Sequence, residues 1–122
     1  MRNLQELRDL AGVWVGRMHE EMVDRNRTPR RQRLLAMLRG IEVRISELDT
    51  SISEVDKNLI SDAPALPEDV RGAALDLDAL IFSCPARALG RDGRTQGWER
   101  RARRAAEALR REVLAWRREL TI

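Results

Sequence analysis

The residue types that supply most metal-binding and nucleophilic chemistry are scarce in this chain. It has one cysteine, one histidine, no tyrosine and one phenylalanine among 122 residues. A lone cysteine cannot form a disulfide within the chain, which is typical of a reducing compartment. Zinc sites take several cysteine or histidine ligands, so one of each excludes the usual zinc centres. We therefore expect no metal site and no cofactor.

Catalytic motifs are also missing. The segment HEEMVD (19–24) lacks the second histidine that a zinc-protease helix needs four residues after the first, because that position is Val23. The glycines of GRDGRTQG (90–97) do not have the spacing of a nucleotide-binding loop. With no catalytic constellation left, we expect a protein that is not an enzyme and has no small-molecule substrate.

Long apolar runs are missing as well. No window approaches 18 uninterrupted apolar residues, the length that a membrane span needs. The first segment, MRNLQELRDL, is charged and lacks the apolar centre of a signal peptide. These patterns predict a cytoplasmic protein without membrane contact.

Helical periodicity, in contrast, runs through most of the sequence, and no strand pattern appears. The spacing of apolar residues predicts four helices, over 3–24, from Thr28-Pro29 to about 60, from Glu68 to about Phe82, and over about 97–120. Asn3 and Thr28 are suited to cap the first two. The fold class is therefore all-α, an antiparallel bundle of about four helices, in a single domain over 1–122.

The second helix carries an unbroken heptad stripe. Its members are Leu34, Leu38, Ile41, Ile45, Leu48, Ile52, Val55 and Leu59. Such a narrow stripe is compatible with an ordinary long bundle helix or with a coiled-coil seam between molecules. In the second case the candidate partner interface is Leu48, Ile52, Val55 and Leu59.

The charge is unevenly distributed. The formal net charge is +3, and the basic residues are 22 arginines and one lysine. From Glu47 to Asp78 the net charge is −7, whereas the rest of the chain carries +10. The protein is therefore expected to have a basic part and an acidic part.

The segment RNRTPRRQR (25–33) places five arginines around the start of the second helix. A helix N-terminus already carries about half a positive charge and free N–H groups, so cations there are mildly unfavourable. The arrangement favours a bound anion, such as a nucleic-acid phosphate or the carboxylates of another protein. A solvated arginine-rich corner is the alternative interpretation.

The fourth helix carries a second basic feature. At 100° per residue, its apolar face lies opposite Arg100, Arg104, Arg111 and Arg118, with Arg103 and Arg110 beside them. Glu99 with Arg103, and Glu107 with Arg111, have the spacing of neutralising pairs within the helix.

An up-down-up-down bundle would bring the two basic features to one end, with the acidic turn around Asp62, Glu68 and Asp69 at the other. The candidate nucleic-acid-binding residues are Arg25, Arg27, Arg30, Arg31, Arg33, Arg94, Arg100, Arg101, Arg104 and Arg111. Base stacking needs aromatic platforms, and two of the three tryptophans occupy predicted core positions. We therefore expect sequence-independent contact with the phosphate backbone, with DNA and RNA both open.

A small, all-helical, arginine-rich chain with segments such as RNRTPRRQR and WERRARR resembles, in architecture, the helical small subunits of multi-subunit (class 1) CRISPR effector complexes. The resemblance implies a non-enzymatic subunit that stacks in a filament and touches nucleic-acid backbone. The alternative is a protein-only adaptor or regulator that oligomerises, or captures a partner helix, through the heptad stripe 34–59. The sequence leaves the identity of the assembly, its stoichiometry and any exchange of helices between chains open.

Overall fold

Four helices make up nearly all of the part of the chain that the computed structural model describes, which is residues 3–22, 28–55, 65–84 and 94–120. They are α1 (Leu4–Met22), α2 (Pro29–Val55), α3 (Glu68–Phe82) and α4 (Arg94–Leu120). Within these ranges there is no strand, only an isolated bridge between Asn3 and Ala65. The prediction of an all-α bundle of four helices is confirmed.

The first two helices begin at the predicted caps. The side-chain oxygen of Asn3 accepts a hydrogen bond from the backbone N–H of Glu6 at 3.0 Å. The hydroxyl of Thr28 accepts one from the N–H of Arg31 at 3.1 Å. Each cap satisfies an N–H group that has no partner inside its own helix.

Helix α4 begins earlier than the sequence pattern predicts. It starts at Arg94 instead of residue 97, so Gly97 lies inside the helix. A glycine in a helix interior costs only about 1 kcal/mol relative to alanine. The next two residues, Trp98 and Glu99, are buried, and their packing stabilises this turn. The predicted ends of the first two helices, at 24 and about 60, lie outside the described residues.

The helices form a ring in the order α1, α2, α4, α3. The main contacts join α1 to α2, α2 to α4 and α3 to α4, with a smaller contact between α1 and α3. Neighbours in the chain are antiparallel, as in the α3–α4 pair, where the indole N–H of Trp98 donates to the carbonyl of Leu80 at 2.7 Å. Helices α2 and α4 are therefore parallel to each other, and they lie side by side.

One apolar core fills the centre of this ring. Leu4, Leu7, Ala11, Trp14, Met18, Met22, Leu34, Leu35, Leu38, Ile41, Ile45, Leu48, Val70, Ala74, Leu77, Ile81, Trp98, Ala102, Ala106, Leu109, Val113 and Trp116 are buried in it. On α4, Ala102 and Ala106 are buried, while Ala105 is only partly buried.

The heptad stripe of α2 is part of this core as far as it is described. Its first five members, from Leu34 to Leu48, are buried against the other helices of the same chain. Leu48 is therefore a core residue and is not available to a partner. The side chains of Ile52 and Val55 and all of Leu59 lie outside the description, so only this later part of the stripe remains a candidate seam.

Trp14 and Trp98 each donate a hydrogen bond to an acceptor on α3. The indole N–H of Trp14 donates to Asp78 at 2.8 Å, and that of Trp98 donates to the Leu80 carbonyl. Both N–H groups would otherwise be buried without a partner, which costs about 1–3 kcal/mol. None of the described helices has the length and apolarity that crossing a membrane requires.

Candidate nucleic-acid interface

The side-by-side packing of α2 and α4 brings the two basic features of the sequence together. Near the starts of both helices, Arg31 contacts Glu99, and near their ends Arg117 contacts Glu47 at 3.6 Å. These two contacts are separated by 16 residues on α2 and 18 on α4, so the helices share a boundary of about 24–27 Å at 1.5 Å per residue. We call the solvent-facing surface along this boundary the α2–α4 face.

A buried ion pair lies beneath its N-terminal end. The Nε of Arg31 is 3.3 Å from Oε1 of Glu99, and the two side chains are 1% and 3% exposed. The hydroxyl of Thr28 donates to the same oxygen at 3.2 Å. Thr28 therefore caps α2 and also orients the carboxylate that holds Arg31.

Arg31 is one of the candidate nucleic-acid-binding residues, and the structure places its side chain in the interior, where it has no direct access to a phosphate. Arg31 precedes Leu34 by three residues and Leu38 by seven, so it extends the apolar stripe of α2 into the first turn. Its guanidinium is consequently directed inward. The spacing from Arg31 to Leu34 and Leu38 therefore indicates a buried position, although the neighbouring arginines favour an exposed one.

Trp98 of α4 and Cys84, two residues after the end of α3, also contact Arg31. Its guanidinium carbon is 5.5 Å from the centroid of the Trp98 ring, and its Nη1 donates to the sulfur of Cys84 at 3.5 Å. Burial raises the pKa of the Cys84 thiol above its ordinary value of 9.0, and the positive charge of Arg31 partly opposes that effect. Cys84 is thus held as a neutral thiol at neutral pH.

Two further arginines are only half-buried at the edge of the α2–α4 face. Arg30 precedes Arg31 on α2, and Arg103 follows Glu99 by one turn of α4. Nη1 of Arg30 and Nε of Arg103 are shielded from solvent and have no hydrogen-bond partner in the described part of the chain. The predicted Glu99–Arg103 pair is therefore not formed at that nitrogen, because Glu99 is turned inward towards Arg31.

Other arginines of the same two helices are exposed to solvent. Arg33, Arg100, Arg104, Arg110 and Arg111 are all exposed. Arg101 is exposed too, but it lies about 160° around α4 from Glu99 and hence on the side of α3. Arg25 and Arg27 lie outside the described residues, as does the side chain of Arg94, so the structure leaves those three predictions as they were.

The helix dipoles increase the positive potential at this end. Helices α2 and α4 both begin here, and neither has an acidic residue in its first turn. Helices α1 and α3 begin at the opposite end, where Glu6, Glu68 and Asp69 occupy the first turns. That agrees with the predicted acidic end, although Asp62 lies outside the described residues.

The far end of the α2–α4 face is less basic. The carboxylate of Glu47 lies 3.6 Å from the guanidinium groups of both Arg44 and Arg117. One acid therefore offsets part of the charge of two bases there. The excess of positive charge is concentrated around Arg30, Arg33, Arg100, Arg103 and Arg104.

A shallow groove lies between α1 and α2. Its charged side chains are Arg8, Asp9, Glu42 and Glu47, so it is acidic on balance. Within the described ranges, no three histidine, cysteine or carboxylate side chains are grouped as a metal site would require. The groove does not suit an anion, and the α2–α4 face does.

Comparison of the chain with models of known protein families, with curated proteins and with solved structures finds no match.

Proposed function

We propose that this protein is a non-enzymatic helical subunit of a larger assembly, similar in role to the small subunits of CRISPR effector complexes, and that its α2–α4 face contacts the phosphate backbone of a nucleic acid. Arg33, Arg100 and Arg104 supply exposed guanidinium groups, and Arg30 and Arg103 supply the half-buried ones. Arg31 supports the face from beneath through its pair with Glu99.

The unpartnered nitrogens of Arg30 and Arg103 carry this proposal. A buried N–H donor without an acceptor costs about 1–3 kcal/mol, so chains rarely keep one without a reason. Both side chains are half-buried, so a rotation of either one would bring its shielded nitrogen to the edge of the face, where a phosphate oxygen could accept a hydrogen bond. The two N–H groups of a guanidinium fork match the spacing of two phosphate oxygens. Arginines that only contact water do not need this match.

The contact is expected to be independent of base sequence. All three tryptophans, Trp14, Trp98 and Trp116, are buried, so none offers a surface on which a base could stack. The ring of Phe82 is exposed, but it lies on α3 and is covered on one side by Arg17 at 4.2 Å. Phosphate contacts without base contacts give affinity that depends strongly on salt and little on sequence.

Fluorescence anisotropy with labelled single-stranded and duplex DNA and RNA tests the proposal, at ~50 mM and ~200 mM salt. The double variant Arg100→Glu/Arg104→Glu should bind all probes more weakly. Each phosphate contact adds about −0.9 to the slope of log K against log salt on duplex DNA, so losing two should make the slope shallower by about 1.8. The matched control is Arg8→Glu/Arg39→Glu, which changes net charge equally on the α1–α2 side.

Equal losses in the two double variants would show that only net charge matters, and the assigned face would be wrong. No binding by the unaltered protein at low salt would remove the nucleic-acid proposal for the isolated chain. In that case the same titration with the natively purified assembly decides whether other subunits are needed.

Arg103→Met separates binding from folding. Its Nε has no partner in the described structure, so removal of the guanidinium should leave the unfolding temperature unchanged or raise it. Affinity for nucleic acid should nevertheless fall. A loss of stability without a loss of affinity would assign Arg103 a structural role instead.

The adaptor alternative now depends on the later part of the heptad stripe. Replacing Ile52 by Asp should abolish oligomerisation or partner capture if that seam operates, while the helices of the core remain folded. A variant that assembles as the unaltered protein does would exclude this seam.

A further inference from the structure

Helix α3 is apolar on two opposite faces, and the described chain covers one of them. Its inner face consists of Val70, Ala74, Leu77 and Ile81, all in the core. Its outer face carries Gly72, Leu75, Ala79 and Phe82, spaced 3, 4 and 3 residues apart and all exposed. We call these four residues the outer α3 stripe. A soluble surface helix ordinarily presents polar residues on its outer face.

The large members of this stripe are exposed to an unusual degree. Leu75 is 47% and Phe82 57% exposed, and they are two of the four large apolar side chains exposed in the described part of the chain. A third, Val13, precedes Arg17 by one turn of α1, and Arg17 lies against the Phe82 ring. Exposed apolar groups that share one helix face mark an interaction surface.

The order of side-chain sizes along the stripe fits a second copy of the same helix. Glycine and alanine alternate with leucine and phenylalanine. If a second copy of α3 packs against the first in the antiparallel direction, with the two-fold axis level with Leu77, then Phe82 lies over the second copy's Gly72. Leu75 then lies over the second copy's Ala79. Each large side chain meets a small one, which is the requirement for close packing of two identical surfaces.

Space and charge agree with this pairing. A Cβ atom built on Gly72 would meet nothing within 4 Å, so the position is open for the second copy's ring. Glu68 precedes Gly72 by one turn, and its side chain is 87% exposed and lies 3.4 Å from the guanidinium of Arg71 on the same helix. The antiparallel arrangement brings it towards the second copy's Arg17, which stacks on Phe82. A parallel arrangement would instead place Phe82 against Phe82 and Glu68 against Glu68.

We propose that the protein forms a two-fold dimer in which the outer α3 stripes of two copies pack antiparallel. The contact uses neither the α2–α4 face nor the later part of the α2 heptad stripe, so it stands independently of the proposed function. Since α2 and α3 lie at diagonal corners of the ring, both α2–α4 faces of the dimer stay accessible. A contact built on one 15-residue helix is at the small end of specific interfaces, so a dissociation constant of ~10–100 µM is expected.

Sedimentation velocity from ~1 to ~300 µM, a range that brackets that constant, tests the dimer. The unaltered protein should shift from monomer to dimer across it. Gly72→Leu fills the opening that Phe82 needs, yet it has room in the single chain and improves helix propensity. It should therefore keep the fold, checked by circular dichroism, and weaken association at least about tenfold. Leu75→Glu should do the same, and Val43→Glu, an equally exposed apolar site on α2, should not.

A charge exchange tests the direction of packing. Arg17→Glu and Glu68→Arg should each weaken the dimer, and the two changes together should restore it. A monomer at every concentration overturns the proposal, as does a dimer that Gly72→Leu and Leu75→Glu leave intact. Failure of the double charge exchange to restore association overturns the antiparallel register.

Discussion

Replacing Glu99 with alanine should reveal how much the bundle depends on its buried ion pair. The carboxylate of Glu99 is the acceptor for both Arg31 and Thr28, and it lies almost completely out of solvent. Alanine at this position would leave the guanidinium of Arg31 buried without its carboxylate. The thiol of Cys84 and the face of Trp98 also lie near its head, and both are weaker partners for a cation than a carboxylate.

The expected loss follows from that environment. Removing one partner of a buried pair costs about 3–5 kcal/mol, because the remaining charge stays desolvated. For a chain of 122 residues, an unfolding entropy of about 2.1 cal/mol/K per residue converts this loss to a fall of about 12–20 °C in the unfolding temperature. Glu99→Gln keeps an acceptor oxygen for both donors and should cost less.

Urea and thermal unfolding followed by circular dichroism measure these values. The double variant Arg31→Met/Glu99→Leu removes both charges and retains apolar volume, so it should be more stable than either single variant with one charge left buried. A cost below about 1 kcal/mol for Glu99→Ala would mean that the pair behaves like an exposed one, contrary to its burial. Additive losses in the double variant would equally refute the reasoning.

Two further predictions concern single contacts between helices. Asp78→Ala should cost about 1–3 kcal/mol in urea unfolding, since it leaves the buried indole N–H of Trp14 without its acceptor; no change would mean that water replaces the carboxylate. The raised pKa of the Cys84 thiol should slow alkylation by iodoacetamide at neutral pH relative to a free thiol. Its thiolate should form only above pH 9, and Arg31→Met should raise that midpoint further, because the charge of Arg31 favours the thiolate. A midpoint below 9 would contradict the burial of the sulfur. Because the folded-state pKa is the higher one, the contribution of Cys84 to stability is complete below pH 9 and is lost as pH rises through the folded-state pKa.

The placement of Arg31 shows how far the arginine-rich segment could be interpreted from sequence. Thr28 and Pro29 correctly predicted where α2 begins, since capping depends on residues within one turn. The burial of Arg31 follows from the three- and seven-residue spacing to Leu34 and Leu38. Its partner, Glu99, could not be predicted from spacing, because the two residues are 68 positions apart and meet only through packing.

The α3 helix gives a second case. Its bounds were predicted from Pro67 and the apolar pattern, and both are confirmed. The sequence shows apolar residues on two sides of this helix, and periodicity alone does not say which side the other helices cover. Packing against α1 and α4 buries Leu77 and Ile81 and leaves Leu75 and Phe82 outside.

The sequence by itself therefore determined the all-α class, the helix starts at Asn3, Thr28 and Pro67, and most of the core positions. These depend on interactions between residues three to seven apart, which the chain encodes locally. The tertiary structure alone decided that α2 lies beside α4, that Glu99 turns inward to Arg31, and that one nitrogen each of Arg30 and Arg103 is shielded from solvent. Those outcomes depend on which helix faces pack together, and contacts across 60 or more residues are selected by the burial of the whole core.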